Sequence, residues 1–259
     1  MTDIFYIILI AFGGLAIGSF LNVVIYRLPR NESIVFPPSH CPQCHNPIRW
    51  YDNIPVVSYL ILRGACRTCH EHISPVYPIL ELLTCFFALI LYYQDGLTFQ
   101  FISDFSLAIV LLGAMVIDYR FMIIPDKLNA AGALIALVVS LSHGVPGIVR
   151  SIAGGVIGIV LMSGLFWLGK LLYRRDGVGF GDVKLAAVIG LFIGPLWCFI
   201  ACVIAVFLGG LWGIYQLSMK RKKMGQEIPF GPFLSLGGFF VLFFKRELLY
   251  LIDRYLALL

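Results

Sequence analysis

The run Leu111-Leu-Gly-Ala-Met-Val-Ile-Asp118 decides the fold. It closes a largely apolar stretch over residues 101–119, about the length that crosses ~30 Å of hydrocarbon, and it ends on an acid. Working outward, the same kind of stretch recurs along the chain. Of the 259 residues, 60% are hydrophobic and only 13% charged, with a mean hydropathy of +0.92. Soluble domains lie nearer half apolar and a quarter charged. The composition excludes a soluble enzyme, a disordered chain, a collagen and a disulfide-stapled secreted module. Eight helices are expected, over residues 4–26, 75–93, 101–119, 124–142, 148–173, 183–196, 197–217 and 230–251, the sixth parting from the seventh at Gly194-Pro195. The fold expected is an all-α polytopic membrane protein of about eight transmembrane helices. The first span is too long for a signal h-region and no small-residue cleavage site follows it, so no cleavable signal peptide is expected. No internal repeat is evident.

Lysine and arginine orient the helices. With the N-terminus outside, the inner loops hold Arg27, Arg30, Arg49, Arg63, Arg67, Arg120, Lys127, Lys170, Arg174, Arg175, Lys184 and Lys220-Arg-Lys-Lys223, fifteen of the nineteen basic residues. Only Arg150, Lys245, Arg246 and Arg254 fall outside. The positive-inside rule selects this orientation, and an even number of spans returns the C-terminus to the outside. The net charge of +5 then records topology and anionic inner-leaflet lipid, and no nucleic-acid partner is expected.

One connection, residues 27–74, is long and falls on the cytoplasmic side. It contains Cys41-Pro-Gln-Cys44 and Cys66-Arg-Thr-Cys69, two C-x-x-C pairs separated by 21 residues. Each pair turns two thiolates toward one point, and two pairs make the S₄ shell that Zn²⁺ accepts. Such a site is structural, since no position is left for a catalytic water. Two disulfides are the competing reading, disfavoured in a reducing compartment. His40, His45, His70 and His72 lie beside the cysteines, as a substitute ligand or as solvated loop residues. Cys85, Cys198 and Cys202 read as small buried hydrophobes.

Among the 14 acidic residues, Asp3, Asp95, Asp104, Glu247 and Asp253 are expected to be solvated on the outer side. Asp118 is different. An ionised Asp deep in a span costs at least ~2.5–3.5 kcal/mol, which makes it a functional candidate; the alternative is an interfacial Asp that marks a helix end. Asp182 follows alternating glycines in Gly177-Val-Gly-Phe-Gly-Asp-Val-Lys184, just before a helix expected to begin near Val183. The spacing fits no phosphate-binding loop, and Gly179 and Gly181 let backbone approach a carboxylate closely. Two carboxyls at one membrane level suggest an aspartic dyad, one ionised and drawing a proton from water, the other protonated and polarising the scissile carbonyl. Helix dipoles favour charge on Asp182 at a helix start and a proton on Asp118 at a helix end. Asp126 reads as the N-cap of the next span. Glu81, one turn into the second span, either serves a second site or bonds locally.

In order along the chain stand Gly18-Ser-Phe-Leu-Asn-Val-Val-Ile-Tyr-Arg-Leu-Pro29, the two C-x-x-C pairs bracketing Arg49-Trp-Tyr-Asp-Asn-Ile-Pro55, and Tyr77-Pro-Ile-Leu-Glu-Leu-Leu83. They are followed by Asp118-x₅-Ile-Pro-Asp126, Gly179-Phe-Gly-Asp-Val-Lys184 and Pro229-Phe-Gly-Pro232. The chain thereby resembles the bacterial type IV prepilin peptidases over essentially its whole length. The resemblance implies a G-x-G-D aspartic protease with Asp118 and Asp182 as the catalytic pair and with Gly179, Gly181, Lys184 and Asp126 in support. It implies prepilin or pseudopilin substrates cut after a glycine at the cytoplasmic face of the bacterial inner membrane. The new N-terminal residue would then be methylated from S-adenosylmethionine. Residues 1–100, with the zinc loop, would carry the methyl transfer and residues 101–259 the peptidase. Asn22, Arg27 and Glu81 are named as candidate contacts of the methyl donor. Val76 departs from the Arg that many relatives carry before Tyr-Pro.

Lys184 and Lys127 are candidate holders of an acidic substrate residue; the alternative is that both snorkel to lipid headgroups. Three other functions remain open at this stage: a peptidase without methylation, a proton-coupled transporter, and a non-catalytic assembly factor that binds pilins through the zinc loop.

Overall fold

Apolar runs this long bury their backbone polar groups only as helices, and helices are what the chain forms. The structure, a computed structural model, describes residues 2–173, 179–219 and 228–256. Helices run over α1 Thr2–Arg27, α2 Val57–Ile61, α3 Val76–Asp95, α4 Phe99–Phe121, α5 Asp126–Leu141, α6 Gly144–Tyr173, α7 Phe180–Ile193, α8 Pro195–Ser218 and α9 Gly231–Leu256. All eight expected helices are present; α2 is an extra turn within the long loop. Among the described residues, five helical stretches, within residues 4–30, 76–95, 99–121, 144–171 and 195–218, are long and apolar enough to cross a membrane. Helices α5 and α7 are shorter, with 16 and 14 residues, and α9 carries Lys245-Arg-Glu247 in its middle. The basic residues Arg174, Arg175 and Lys220–Lys223, like Gly177, lie outside the described residues.

The chain divides into two compact units, residues 1–101 and 102–259. In the first, α1 packs on α3 through Gly14 and Gly18, four apart on one face. A Cβ on Gly18 would lie 2.7 Å from the Glu81 Cα, and one on Gly14 would lie 2.8 Å from the Cys85 Cα. Small residues at this spacing let membrane helices touch backbone to backbone. The loop between them holds two short 3₁₀ turns, Leu28–Arg30 and Trp50–Asn53, and α2.

In the second unit, α7 is the element that matters for the site. Gly154 on α6 and Gly190 on α7 abut so closely that a Cβ on either would lie 2.0 Å from the other's carbonyl oxygen. That contact fixes α7 against the longest helix of the chain. The break expected at Gly194-Pro195 is present, with Gly194 at φ +84° and Arg150 donating to the Ile193 carbonyl at 3.4 Å. Asp104 corrects an expectation: it is buried, not solvated, 3.8 Å from the Lys245 ammonium. An acid amid apolar residues avoids the cost of isolation by pairing.

Candidate active site

Asp118 and Asp182 are both buried, and their carboxyls are near enough to interact as charges. Each is held by a glycine. The Gly231 N–H donates to Asp118 Oδ2 at 2.8 Å, and the Gly179 N–H donates to Asp182 Oδ2 at 2.9 Å. Helix α7 begins at Phe180, earlier than expected, so Asp182 lies inside its first turn. There it reaches back to the N-cap amide as the acid of a capping box does, while its own N–H returns to the Gly179 carbonyl at 3.0 Å. This bond is why the helix starts three residues early. Asp182 Oδ1 is buried with no partner among the described residues. One oxygen of Asp182 is therefore tied to the fold and the other is left for chemistry. The glycines let backbone close in: a Cβ on Gly181 would lie 3.1 Å from the Ile124 Cβ, and one on Gly179 would lie 3.2 Å from Asp182 Oδ2.

Asp126 is not the N-cap. Pro125 holds that position with ψ 134° and no side-chain cap bond, because its fixed φ supplies the extended residue that opens a helix. Asp126 is the first helical residue instead. Its exposed carboxylate accepts from Lys184 Nζ at 2.6 Å, and Lys184 also lies over the Phe180 ring. Lys184 is thus paired with Asp126. An exposed pair of this kind contributes ~0–1 kcal/mol.

In the first unit, Cys41, Cys44, Cys66 and Cys69 converge, all four sulfurs within 4.8 Å of one another. The two C-x-x-C segments are one turn made twice. Cys41 N–H donates to the Asn46 carbonyl and His45 N–H to the Cys41 carbonyl; Cys66 N–H donates to the Glu71 carbonyl and His70 N–H to the Cys66 carbonyl. His45 and His70 each take the left-handed conformation at φ 57°, and neither ring joins the cluster. The N–H groups of Cys69 and Thr68 draw the Cys66 thiol down to about 6. The Glu71 N–H works to lower Cys69, but burial and the thiols of Cys66, Cys44 and Cys41 push it up to about 12. Four sulfurs this close ionise together only around a cation. The Cys41–Cys69 separation of 3.8 Å is that of a tetrahedral shell with metal–sulfur bonds of about 2.3 Å. Within the second turn, Arg67 clasps Asp52 through Nε at 2.9 Å and Nη2 at 2.6 Å, which holds the Asp52 carboxyl below the usual carboxylate range.

The three candidate cofactor contacts all bond to backbone. Asn22 donates to the Tyr77 carbonyl at 3.1 Å. The buried Arg27 donates to the Ser33 and Pro37 carbonyls at 2.9 and 2.7 Å. Glu81 Oε2 accepts the Val56 N–H at 2.7 Å, pinning a β-branched residue held at φ 62°. A cavity of about 320 Å³ opens beside them, lined by Ser19, Phe20 and Arg27 of α1 and by Val35, Pro37 and Asn53 of the loop.

Most of the chain is similar to known proteins. Residues 12–94 match the bacterial peptidase A24 N-terminal domain, and residues 105–214 match the type IV leader peptidase family. The prepilin leader peptidase/N-methyltransferase of Pseudomonas putida is 30% identical over 96% of this chain and 94% of its own length. The chain belongs to the type IV leader peptidase family. The similarly named proteins of Aeromonas hydrophila and Klebsiella pneumoniae are 32% and 35% identical to this leader peptidase, over 92% and 70% of its chain and 90% and 82% of theirs. No solved structure matches. Membership in a peptidase family sets aside the transporter and assembly-factor readings.

Two residues of this leader peptidase escaped the reading of its sequence. Gly231 stands in Pro229-Phe-Gly-Pro232, a motif noted for the resemblance but given no role, and it carries the amide that holds Asp118. A Cβ there would lie 2.8 Å from Asp118 Oδ2. Asn129, one turn after Asp126 on α5, is buried with neither side-chain polar atom paired among the described residues. Its signal was an amide inside an apolar helix.

Proposed function

We propose that this leader peptidase cleaves the basic leader from prepilins or pseudopilins, after a glycine, with Asp118 and Asp182 as the catalytic pair. It then N-methylates the new terminus. The observation that carries the reading is two buried carboxyls, each fixed through one oxygen by a glycine amide. Asp182, ionised and opening α7, takes a proton from water at Oδ1, and the water oxygen attacks the scissile carbonyl carbon. Asp118 gives its proton to the carbonyl oxygen. As the carbon–nitrogen bond breaks, Asp182 passes its proton to the leaving amine and Asp118 regains one from the diol. Gly179 and Gly181 keep the approach narrow enough for a peptide backbone, and the Asp126–Lys184 pair supports the start of α7.

The four cysteines hold Zn²⁺ as a structural ion, stapling a loop too small to bury a core of its own. S-adenosylmethionine, when bound, supplies a sulfonium methyl group. The cavity between α1 and the loop is large enough for a ligand of that class and offers Arg27, Ser19 and Asn53 as polar groups. Residues 1–100 would thus carry methyl transfer and residues 101–259 cleavage. Helices α5, α7 and α9 complete eight spans in the bacterial inner membrane, both termini outside. The basic loops and the active site lie at the cytoplasmic face.

Co-expression with a prepilin, read by intact mass spectrometry, tests the proposal. Loss of the leader with gain of one methyl group is expected. Leader loss without the methyl group favours the peptidase-only reading, and an intact leader contradicts both.

A further inference from the structure

Asp104, Leu111 and Asp118 lie seven residues apart on α4. Gly231, Gly238 and Lys245 lie seven apart on α9. The six meet in pairs, in antiparallel order. At one end the Gly231 N–H donates to Asp118 Oδ2 at 2.8 Å. In the middle, a Cβ on Gly238 would lie 2.8 Å from Leu111 Cδ1, so Leu111 packs directly on Gly238. At the other end Lys245 Nζ lies 3.8 Å from Asp104 Oδ2, with side-chain exposures of 23% and 5%. Fourteen residues at a rise of 1.5 Å put the two polar contacts about 21 Å apart on each helix. The equal spacing means that a single register satisfies all three contacts.

We propose that Lys245 is a positioning residue for the peptidase. Its ion pair with Asp104 sets the register of α9 on α4, and through it the aim of the Gly231 amide at Asp118. The proposal rests on the reading of Asp118 as catalytic. The amide is the first residue of α9, so any slide or rotation of that helix moves the donor directly. A single N–H···O contact at 2.8 Å does not survive a shift of an ångström or more. Gly237, where a Cβ would lie 2.2 Å from the Ala201 carbonyl oxygen, seats α9 on α8; the ion pair seats it on α4. The single apolar contact of Leu111 with Gly238 leaves neighbouring registers close in energy, and a partly buried charged pair is the device that distinguishes them. Lys245 touches no reacting group; it acts along the helix.

The test compares wild type with Lys245→Met, Asp104→Asn and the charge-swapped Asp104→Lys/Lys245→Asp double variant, in detergent or lipid, on a prepilin substrate. Cleavage kcat and KM are measured separately. Methylation of a pre-cleaved substrate is read in the same preparation. Lys245→Met is expected to lower cleavage kcat by about tenfold or more, as misplacement of a catalytic group does, with KM and methylation little changed. The swapped pair should recover most of that loss. Should Lys245→Met fail to fold, Asp104→Asn and the swap carry the same comparison. Wild-type kcat in the single variants would overturn the proposal. So would a swap no better than the worse single variant, or a parallel fall in cleavage and methylation, which marks mere destabilisation. Asp118→Asn run alongside separates the two claims: if it still cleaves, the reading of Asp118 fails, whatever Lys245 does.

Discussion

The Gly231 amide and the Asp118 carboxylate, 113 positions apart in sequence, share a buried hydrogen bond of 2.8 Å. The bond ties the start of α9 to the last turn of α4 and leaves Asp118 one oxygen for chemistry. Gly231→Ala brings a Cβ to 2.8 Å from that carboxylate, closer than van der Waals contact permits. The variant is expected to lose cleavage by about tenfold or more while methylating a pre-cleaved substrate normally. Cleavage at the wild-type rate would remove the glycine from the account.

The cysteine cluster predicts one tightly held zinc per chain, measured by elemental analysis of the purified protein. Cys66→Ser should release the metal and open the loop to limited proteolysis. Ligand thiolates must be deprotonated to bind, so zinc release should increase as pH falls. Full metal content in Cys66→Ser would contradict the four-sulfur site.

Asp52 and Arg67 give a pH dependence with a defined sign. Because Arg67 holds the Asp52 carboxyl below its unfolded value, the stabilisation is fully present above the unfolded pKa of about 3.9 and is lost as pH falls through the lower folded value. At neutral pH, Arg67→Leu should speed zinc release from the loop by no more than several-fold, since exposed pairs contribute ~0–1 kcal/mol. A much larger effect would mean that Arg67 does more than clasp Asp52.

Glu81 separates anchoring from charge. Its bond to the Val56 N–H needs only an acceptor oxygen, which glutamine supplies. Glu81→Gln is expected to keep most methylation and Glu81→Ala to lose it, measured with a pre-cleaved peptide and labelled methyl donor. Loss in Glu81→Gln as well would show that the negative charge itself is used.

The helices were legible because long apolar runs satisfy their backbone polar groups as helices, and Gly194-Pro195 marked the break between two of them. The four cysteines were legible because a C-x-x-C turn is local. The early start of α7 was hidden because Asp182 serves as the cap from inside the helix it opens. Asp126 was misread for the complementary reason, since Pro125 already filled the capping position and left the acid to Lys184, 58 residues away. Gly231 and the burial of Asp104 were invisible because their partners lie on another helix. Sequence periodicity reports which face of a helix is apolar, not which residue of a distant helix meets it.

The most direct test of the account is the rate of leader cleavage by Asp118→Asn and by Asp182→Asn, with methylation of a pre-cleaved substrate measured on the same protein. Asparagine keeps the size of each side chain and an acceptor for its glycine amide, but removes the titrating carboxyl. The account predicts that cleavage disappears in both variants while methylation persists. Cleavage retained in either one would contradict the aspartate pair.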